Sequence, residues 1–203
     1  SKKKTSYITL NNGKELKGLF GGMYFKKGLI TDIKFKTGSG KSQKISASDI
    51  KEMYLQPSKL GKLSKSLDAI GDAQKWNDEK LNQDLLSQGY VFFESAKVRV
   101  KKKEFVALLQ LLNPNFSKEV KIYHDIFAKE SASIGVGPIT AAGGNAKSYF
   151  VKFGNETAYK LEKKNYKKEF IPMWKKCKNV SKTYKDIKWS ELPKHIIEYS
   201  KCD

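Results

Sequence analysis

The residues of this chain that could do chemistry are few. Cys177 and Cys202 are its two cysteines, and His124 and His195 its two histidines. A thiol beside an imidazole makes a nucleophile and its base, and Cys177 with His195 is the one such combination on neighbouring segments. Lone residues of these types on adjacent helices are more often structural. No His/Cys/Asp spacing follows a zinc pattern, and no serine sits in a Gly-x-Ser-x-Gly elbow. The acidic residues are scattered, so no paired-carboxylate site can be named. The expected sets of catalytic, cofactor-binding and metal-binding residues are therefore empty. The two cysteines admit two readings. In an exported protein an even pair forms a disulfide, and closing that loop would contribute about 3 kcal/mol. In a cytosolic protein they would be two reduced thiols. Spacing leaves both open.

Two glycine-rich stretches imitate phosphate sites. Gly40-Lys41-Ser42 matches the end of a phosphate-binding loop, but Phe35 stands where the first glycine belongs and a strand-like run follows instead of a helix. It reads as a hairpin turn. Ile134 to Gly144 carries Gly135 and Gly137, but Thr140 occupies the third glycine position of a dinucleotide fingerprint. It reads as a long loop, with a binding lid as the functional alternative. Asn115-Phe116-Ser117, Asn155-Glu156-Thr157 and Asn179-Val180-Ser181 match the glycosylation triplet, which matters only in a eukaryotic host.

Charge frames the choice of partner. The formal net charge is +19 over 203 residues, yet Arg99 is the only arginine. Lysine is a hydrated point charge, whereas arginine makes the two-pronged contacts that read guanine edges. Specific base readout is therefore disfavoured. What remains is a solvated basic surface or attraction to a polyanion. Tyr24, Phe25, Lys26 and Lys27, with Phe35 and Lys36, could stack bases beside phosphate contacts. The longest apolar run, Phe105 to Leu112, is interrupted by Gln110 and falls far short of the roughly 20 residues of a membrane helix. No integral membrane segment is expected. The chain opens on Ser1-Lys2-Lys3-Lys4 without an apolar leader, as a removed signal peptide or a truncated start would leave it.

The elements that must position these residues follow from periodicity. Tyr7–Leu10, the alternation of Leu29, Thr31, Ile33 and Phe35, that of Gln43, Ile45 and Ala47, and the run Ile50–Leu55 predict four or five short strands. Asn11-Asn12-Gly13 and Thr37-Gly38-Ser39-Gly40 supply turns. Such strands suggest a curled sheet or an SH3-like or Sm-like barrel. Leu60, Leu63, Leu67 and Ile70 form a helical stripe, which Trp76, Leu81 and Leu85 continue less regularly. Tyr90–Phe93, Val98–Val100 and Val120–Ile126 read as strands. Phe105–Leu112 fits a strand or a short helix, and strand is chosen. Tyr149–Phe153 and Glu156–Leu161 predict a hairpin with a two-residue Gly154-Asn155 turn. Two helices close the chain. Asn165 caps the first, which carries Tyr166, Phe170, Trp174 and Cys177 and should kink at Pro172. Ser190 caps the last, with Leu192, Ile196 and Tyr199 inward and Pro193 in the first turn. The expected fold class is α+β. A small β-barrel-like domain occupies residues 1–57 and a helical connector 58–88. An antiparallel meander with two C-terminal helices occupies 89–203.

Several stretches carry a resemblance. They include Leu111-Leu112-Asn113-Pro114-Asn115-Phe116, Val120-Lys121-Ile122-Tyr123, Phe127-Ala128-Lys129-Glu130, Gly135-Val136-Gly137 and Gly143-Gly144. Lys147-Ser148-Tyr149-Phe150-Val151-Lys152, Tyr166-Lys167-Lys168-Glu169-Phe170 before Cys177, and Ile197-Glu198-Tyr199-Ser200-Lys201-Cys202 continue the pattern, and Tyr7–Gly13 is similar to its N-terminal β module. Together these resemble a family of uncharacterised exported proteins common in Bacteroidetes. The resemblance implies a signal peptide removed before Ser1, a periplasmic or cell-envelope location and a Cys177–Cys202 disulfide. It brings no activity and no catalytic residues. The expectation is a non-catalytic exported binding or scaffolding protein, with an envelope protein or an anionic polymer as partner. The alternative is a nucleic-acid-binding protein with a Lys-rich surface, and an enzyme with the Ile134–Gly144 loop as lid is the third reading.

Overall fold

A computed structural model of the chain describes residues 5–38, 40–56, 81–114, 116–128 and 146–202. Most of the expected connector, including Leu60, Leu63, Leu67, Ile70 and Trp76, lies outside them. So do the Ile134–Gly144 loop and Asn115. The described residues fall into two compact units, 5–56 with 82–111, and 112–202.

The first unit is a closed antiparallel barrel of six strands. Its strands are β1 (Ser6–Leu10), β2 (Glu15–Lys26), β3 (Leu29–Thr37), β5 (Ile50–Leu55), β6 (Val91–Val100) and β7 (Lys103–Gln110); β4 (Ser42–Ser46) lies outside the ring, paired only with β3. Neighbours run β1–β2–β3–β7–β6–β5 and back to β1. The seam between β3 and β7 is a single pairing, Ile30 with Leu108. Closure therefore rests on that one bridge, while every other neighbouring pair in the ring is joined by a ladder of several pairings. Period-two strands supply the filling: Ile8, Ile33, Phe35, Ile50, Met53, Phe93, Val98 and Ala107 are buried. The helix α1 (Gln83–Ser87) precedes β6, capped by the Asn82 side chain, which accepts from the Leu85 amide at 3.0 Å.

The expected domain boundary is corrected here. Residues 91–110 were assigned to the C-terminal meander, but β6 and β7 complete the barrel. Five strands from Ser6 to Leu55 cannot close by themselves, since β4 pairs only with β3, and the remaining gap between β5 and β3 takes two more. Val98–Val100 is the continuation of one ten-residue strand, and Phe105–Gln110 is strand rather than helix.

Strand β2 turns the corner of the barrel. It carries register shifts between Phe20 and Gly22 and between Tyr24 and Phe25, where bulges bend the strand. Gly18 sits opposite Ser6 on one side and Thr37 on the other, and a Cβ there would land on the Lys36 carbonyl. Gly18→Ala is expected to cost about 2–3 kcal/mol, because backbone rather than a flexible side chain has to move. A urea melt of the variant checks it; an unchanged midpoint would contradict this packing.

The second unit is a three-stranded sheet covered by helices. β8 (Val120–His124), β9 (Ser148–Phe153) and β10 (Ala158–Glu162) pair antiparallel with β9 in the middle. Register aligns Val120 with Phe153, Ile122 with Val151, and Leu161 with Tyr149, so one face carries the apolar set. On it pack α2 (Tyr166–Met173), α3 (Lys178–Thr183) and α4 (Leu192–Tyr199) through Tyr166, Phe170, Trp174, Val180, Leu192 and Ile196. Buried Asn113 organises the approach to β8: its side-chain amide donates to the Phe116 and Val120 carbonyls, and its oxygen accepts from the Ile122 amide.

Three local expectations change. The β9–β10 connection is four residues, 154–157, because β10 starts at Ala158; Gly154 takes φ +46. Asn165 precedes α2 but its side chain makes no cap, since a 3-10 turn over Lys163–Asn165 already leads into the helix. Likewise a 3-10 turn over Trp189–Glu191 absorbs Ser190. Pro172 falls in the last turn of α2, which stops at Met173 before Cys177, and α3 follows as a helix absent from the sequence reading.

Candidate functional site

Cys177 and Cys202 form a disulfide, with Cα atoms 5.7 Å apart. The Cys177 amide donates to the Trp174 carbonyl just after α2, and the Cys202 amide to the Tyr199 carbonyl at the end of α4. The bridge therefore ties two helix ends over the core of the second unit, where Cys177 is fully buried.

His195 is not a partner for that sulfur. Its Nδ1 lies 2.7 Å from the Tyr166 hydroxyl, and its ring stands edge-on to Tyr184 at 4.0 Å and to Phe170 at 5.0 Å. Burial pushes its pKa down to about 4; nearby Glu198 opposes this and Lys194 reinforces it. Desolvation raises the Tyr166 hydroxyl in turn. At neutral pH the pair is a neutral, aromatic-enclosed hydrogen bond, which fits a structural role.

Asp125 is buried and fully engaged. It accepts from Ser148 at 2.7 Å and from the Phe127 amide at 3.2 Å, and pairs with Lys160 at 2.7 Å. Ser148 thus donates its proton to a carboxylate and is buried, the reverse of an activated nucleophile. Among the described residues, no group of three or more His, Cys, Asp or Glu side chains could hold a metal ion. Gly40-Lys41-Ser42 is a hairpin element, with the Gly40 amide on the Thr37 carbonyl and β4 following.

The barrel presents a basic ledge. Strands β2 and β3 are joined by the two-residue turn Lys27-Gly28, and β6 and β7 by Lys101-Lys102. The β3–β7 seam is antiparallel, so the two turns lie toward its opposite ends; the ledge is the surface around the first, where the Lys27 ammonium lies 5.1 Å from the Phe105 ring centre. Lys26, Lys27, Lys101, Lys102 and Lys103 are all exposed. Beside Lys26 and Lys27, Tyr24 and Phe25 are 44% and 46% exposed, large values for aromatic rings. The Lys44 ammonium stands 4.8 Å from the Tyr24 ring centre. Arg99 does not join them as an open contact, because it pairs across the hairpin with Glu104 at 2.9 Å.

Of the aromatics singled out in the sequence, Tyr24 and Phe25 are on the ledge, but Phe35 is fully buried in the barrel and cannot stack on anything outside it. The period-two pattern that places Phe35 inward with Ile33 was the available signal. Lys101–Lys103 were missed, because three lysines in a row do not look like a tight turn.

The second unit has a cleft of about 250 Å³ lined by Phe153, Tyr159, Tyr199, Glu156, Glu169 and Lys175, among others. Burial raises the Glu169 carboxyl, with Glu162 adding to the effect and Lys168 opposing it. Burial also raises Tyr159 and Tyr199, and Glu156 adds to both.

No helix among the described residues is long and apolar enough to cross a membrane. No protein-family profile, curated protein or solved structure matches this chain.

Proposed function

We propose that this chain is a non-catalytic exported protein that binds an anionic polymer of the bacterial cell envelope through the basic ledge of its barrel. One observation carries the reading. Lys27 (φ +53) and Lys101 (φ +57) are the non-glycine residues with left-handed backbone among the described residues, and each stands in a basic hairpin turn of the barrel, Lys27 on the ledge and Lys101 in the β6–β7 turn. A left-handed side-chain-bearing residue costs roughly 1–2 kcal/mol, and such strain gathers at functional places. Glycine would be free of that cost at both turns; lysine places charge there. The Cys177–Cys202 disulfide supports an oxidising compartment, as does the resemblance to exported Bacteroidetes proteins.

The test uses the double variant Lys27→Gly/Lys101→Gly. Glycine accepts the same backbone, so the variant should melt no lower than the parent. Its affinity for heparin, a soluble anionic polysaccharide, should fall, and the slope of log K against log salt should drop by about 2, one per lysine. An unchanged slope would remove the ledge from the reading. The exposed Tyr24 and Phe25 favour single-stranded nucleic acid as the second reading. It is separated by Phe25→Ala, which should cost about 1–3 kcal/mol if a base stacks there and nothing with a ring-free polyanion.

A further inference from the structure

The cleft of the second unit has walls unlike the rest of this lysine-rich chain. Phe153, Tyr159 and Tyr199 give it three aromatic faces, and Pro172 and Met173 add apolar surface. Phe153 and Tyr199 meet edge to face with centroids 5.7 Å apart, which fixes both rings. Two carboxylates, Glu156 and Glu169, line the same space, and Lys175 and Lys176 stand at its exposed side.

Three features of these residues call for a ligand. First, the chain has 40 lysines and arginines against 21 acidic residues, so carboxylates have abundant possible partners. Glu169 is half-buried and Glu156 exposed, and neither has an ion pair within 4 Å or a side-chain hydrogen bond among the described residues, although Lys168 acts electrostatically on Glu169. Second, Tyr199 is only 6% exposed and lines the cleft, with its ring held edge to face against Phe153. Third, the aromatic rings and the carboxylates are close: both glutamates act electrostatically on Tyr159, and Glu156 also on Tyr199. Negative ring faces beside unpaired carboxylates attract a cation. Apolar walls favour one whose charge is covered by alkyl groups over a tightly hydrated ammonium. The adjacent lysines supply the opposite pole. A volume near 250 Å³ is below the roughly 300 Å³ at which sites for drug-sized ligands begin.

We propose that this cleft binds a small zwitterion, with an alkylated ammonium seated among Phe153, Tyr159, Tyr199, Glu156 and Glu169 and a phosphate or carboxylate on Lys175 and Lys176. The ligand is either a free metabolite or the headgroup of a lipid. The site is separate from the barrel ledge and stands without it.

Calorimetric titration of the full chain with phosphocholine, choline and inorganic phosphate tests the chemistry. Phosphocholine should bind at least ten-fold more tightly than either half alone. Co-sedimentation with phosphatidylcholine vesicles tests the headgroup source. Glu156→Gln/Glu169→Gln keeps the shape and removes the charge; it should weaken binding at least ten-fold in whichever arm is positive, with an unchanged melting temperature. Lys27→Gly/Lys101→Gly should bind the zwitterion as the parent does. No binding in either arm, or equal binding by the glutamine variant, overturns the proposal.

Discussion

Reduction of the Cys177–Cys202 bridge is expected to destabilise the second unit by about 3 kcal/mol. The cysteines are 25 residues apart, and releasing a loop of that size returns roughly this much chain entropy to the unfolded state. For a domain near 100 residues, that corresponds to a fall of roughly 10–20 °C in melting temperature. The loop includes α3 and α4, and α4 brings Leu192, Ile196 and Tyr199 to the core. Comparing melts with and without reductant, and of Cys202→Ser, checks this. Cys202→Ser should match the reduced parent and no longer respond to reductant. Equal melting in both states would mean that packing of α4 alone holds the C-terminus. Blocking thiols in intact host cells before lysis adds the compartment: a bridged pair supports export, and two modified thiols would contradict it.

Acidification should then cost the same unit up to about 3 kcal/mol through His195. In the unfolded chain the imidazole takes up a proton below about pH 6.5, but burial holds it neutral in the folded chain down to about pH 4. Between those values unfolding binds a proton, so this contribution is complete above about pH 6.5 and is lost progressively as pH falls toward 4. The two values differ by about 2.5 pH units, each worth 1.36 kcal/mol. Glu198, Lys194, Tyr166 and Tyr184 face or approach the ring. The difference between parent and His195→Gln isolates the histidine: the variant can still bond to Tyr166 but cannot titrate. Its denaturant midpoint should vary less than the parent's between pH 6.5 and 4. Parallel curves would show that His195 titrates alike in the folded and unfolded states, against its burial as a neutral ring.

Which parts of this were legible in the sequence follows from the range of the forces involved. Strand alternation is local, and Ile33 and Phe35 point inward as their period requires. Local pattern also placed β1, β3, β4, β5 and the β9–β10 pair, whereas β2 (Glu15–Lys26), whose bulges break its alternation, had no such mark. The domain boundary did not, because membership of a barrel is decided by pairing. Val91–Val100 looks the same in sequence whether it joins β5 or starts another sheet, and the Ile30–Leu108 seam has no local mark. The cysteine pair was legible as a possibility and its geometry was not. Caps failed where 3-10 turns prepared the helix and made Asn165 and Ser190 unnecessary. Of the candidate surfaces, Tyr24 to Lys27 could be read in advance. The basic turn at 101–103 carries no local turn signal, and the cleft around Tyr199 needed residues far apart in the chain to be assembled.

The single-pair seam between Ile30 and Leu108 also sets an order of assembly. A chain presented to its folding compartment N-terminus first can form the β1–β2–β3 meander as soon as Thr37 has entered, and Ile50–Leu55 can join β1 soon after. The cylinder cannot shut until Gln110 has entered, since β7 is both the last strand and the keystone. Until then the inner residues Ile33, Phe35 and Phe93 face an open trough. The half-built barrel is therefore the stage at which this chain exposes its inner wall to other chains.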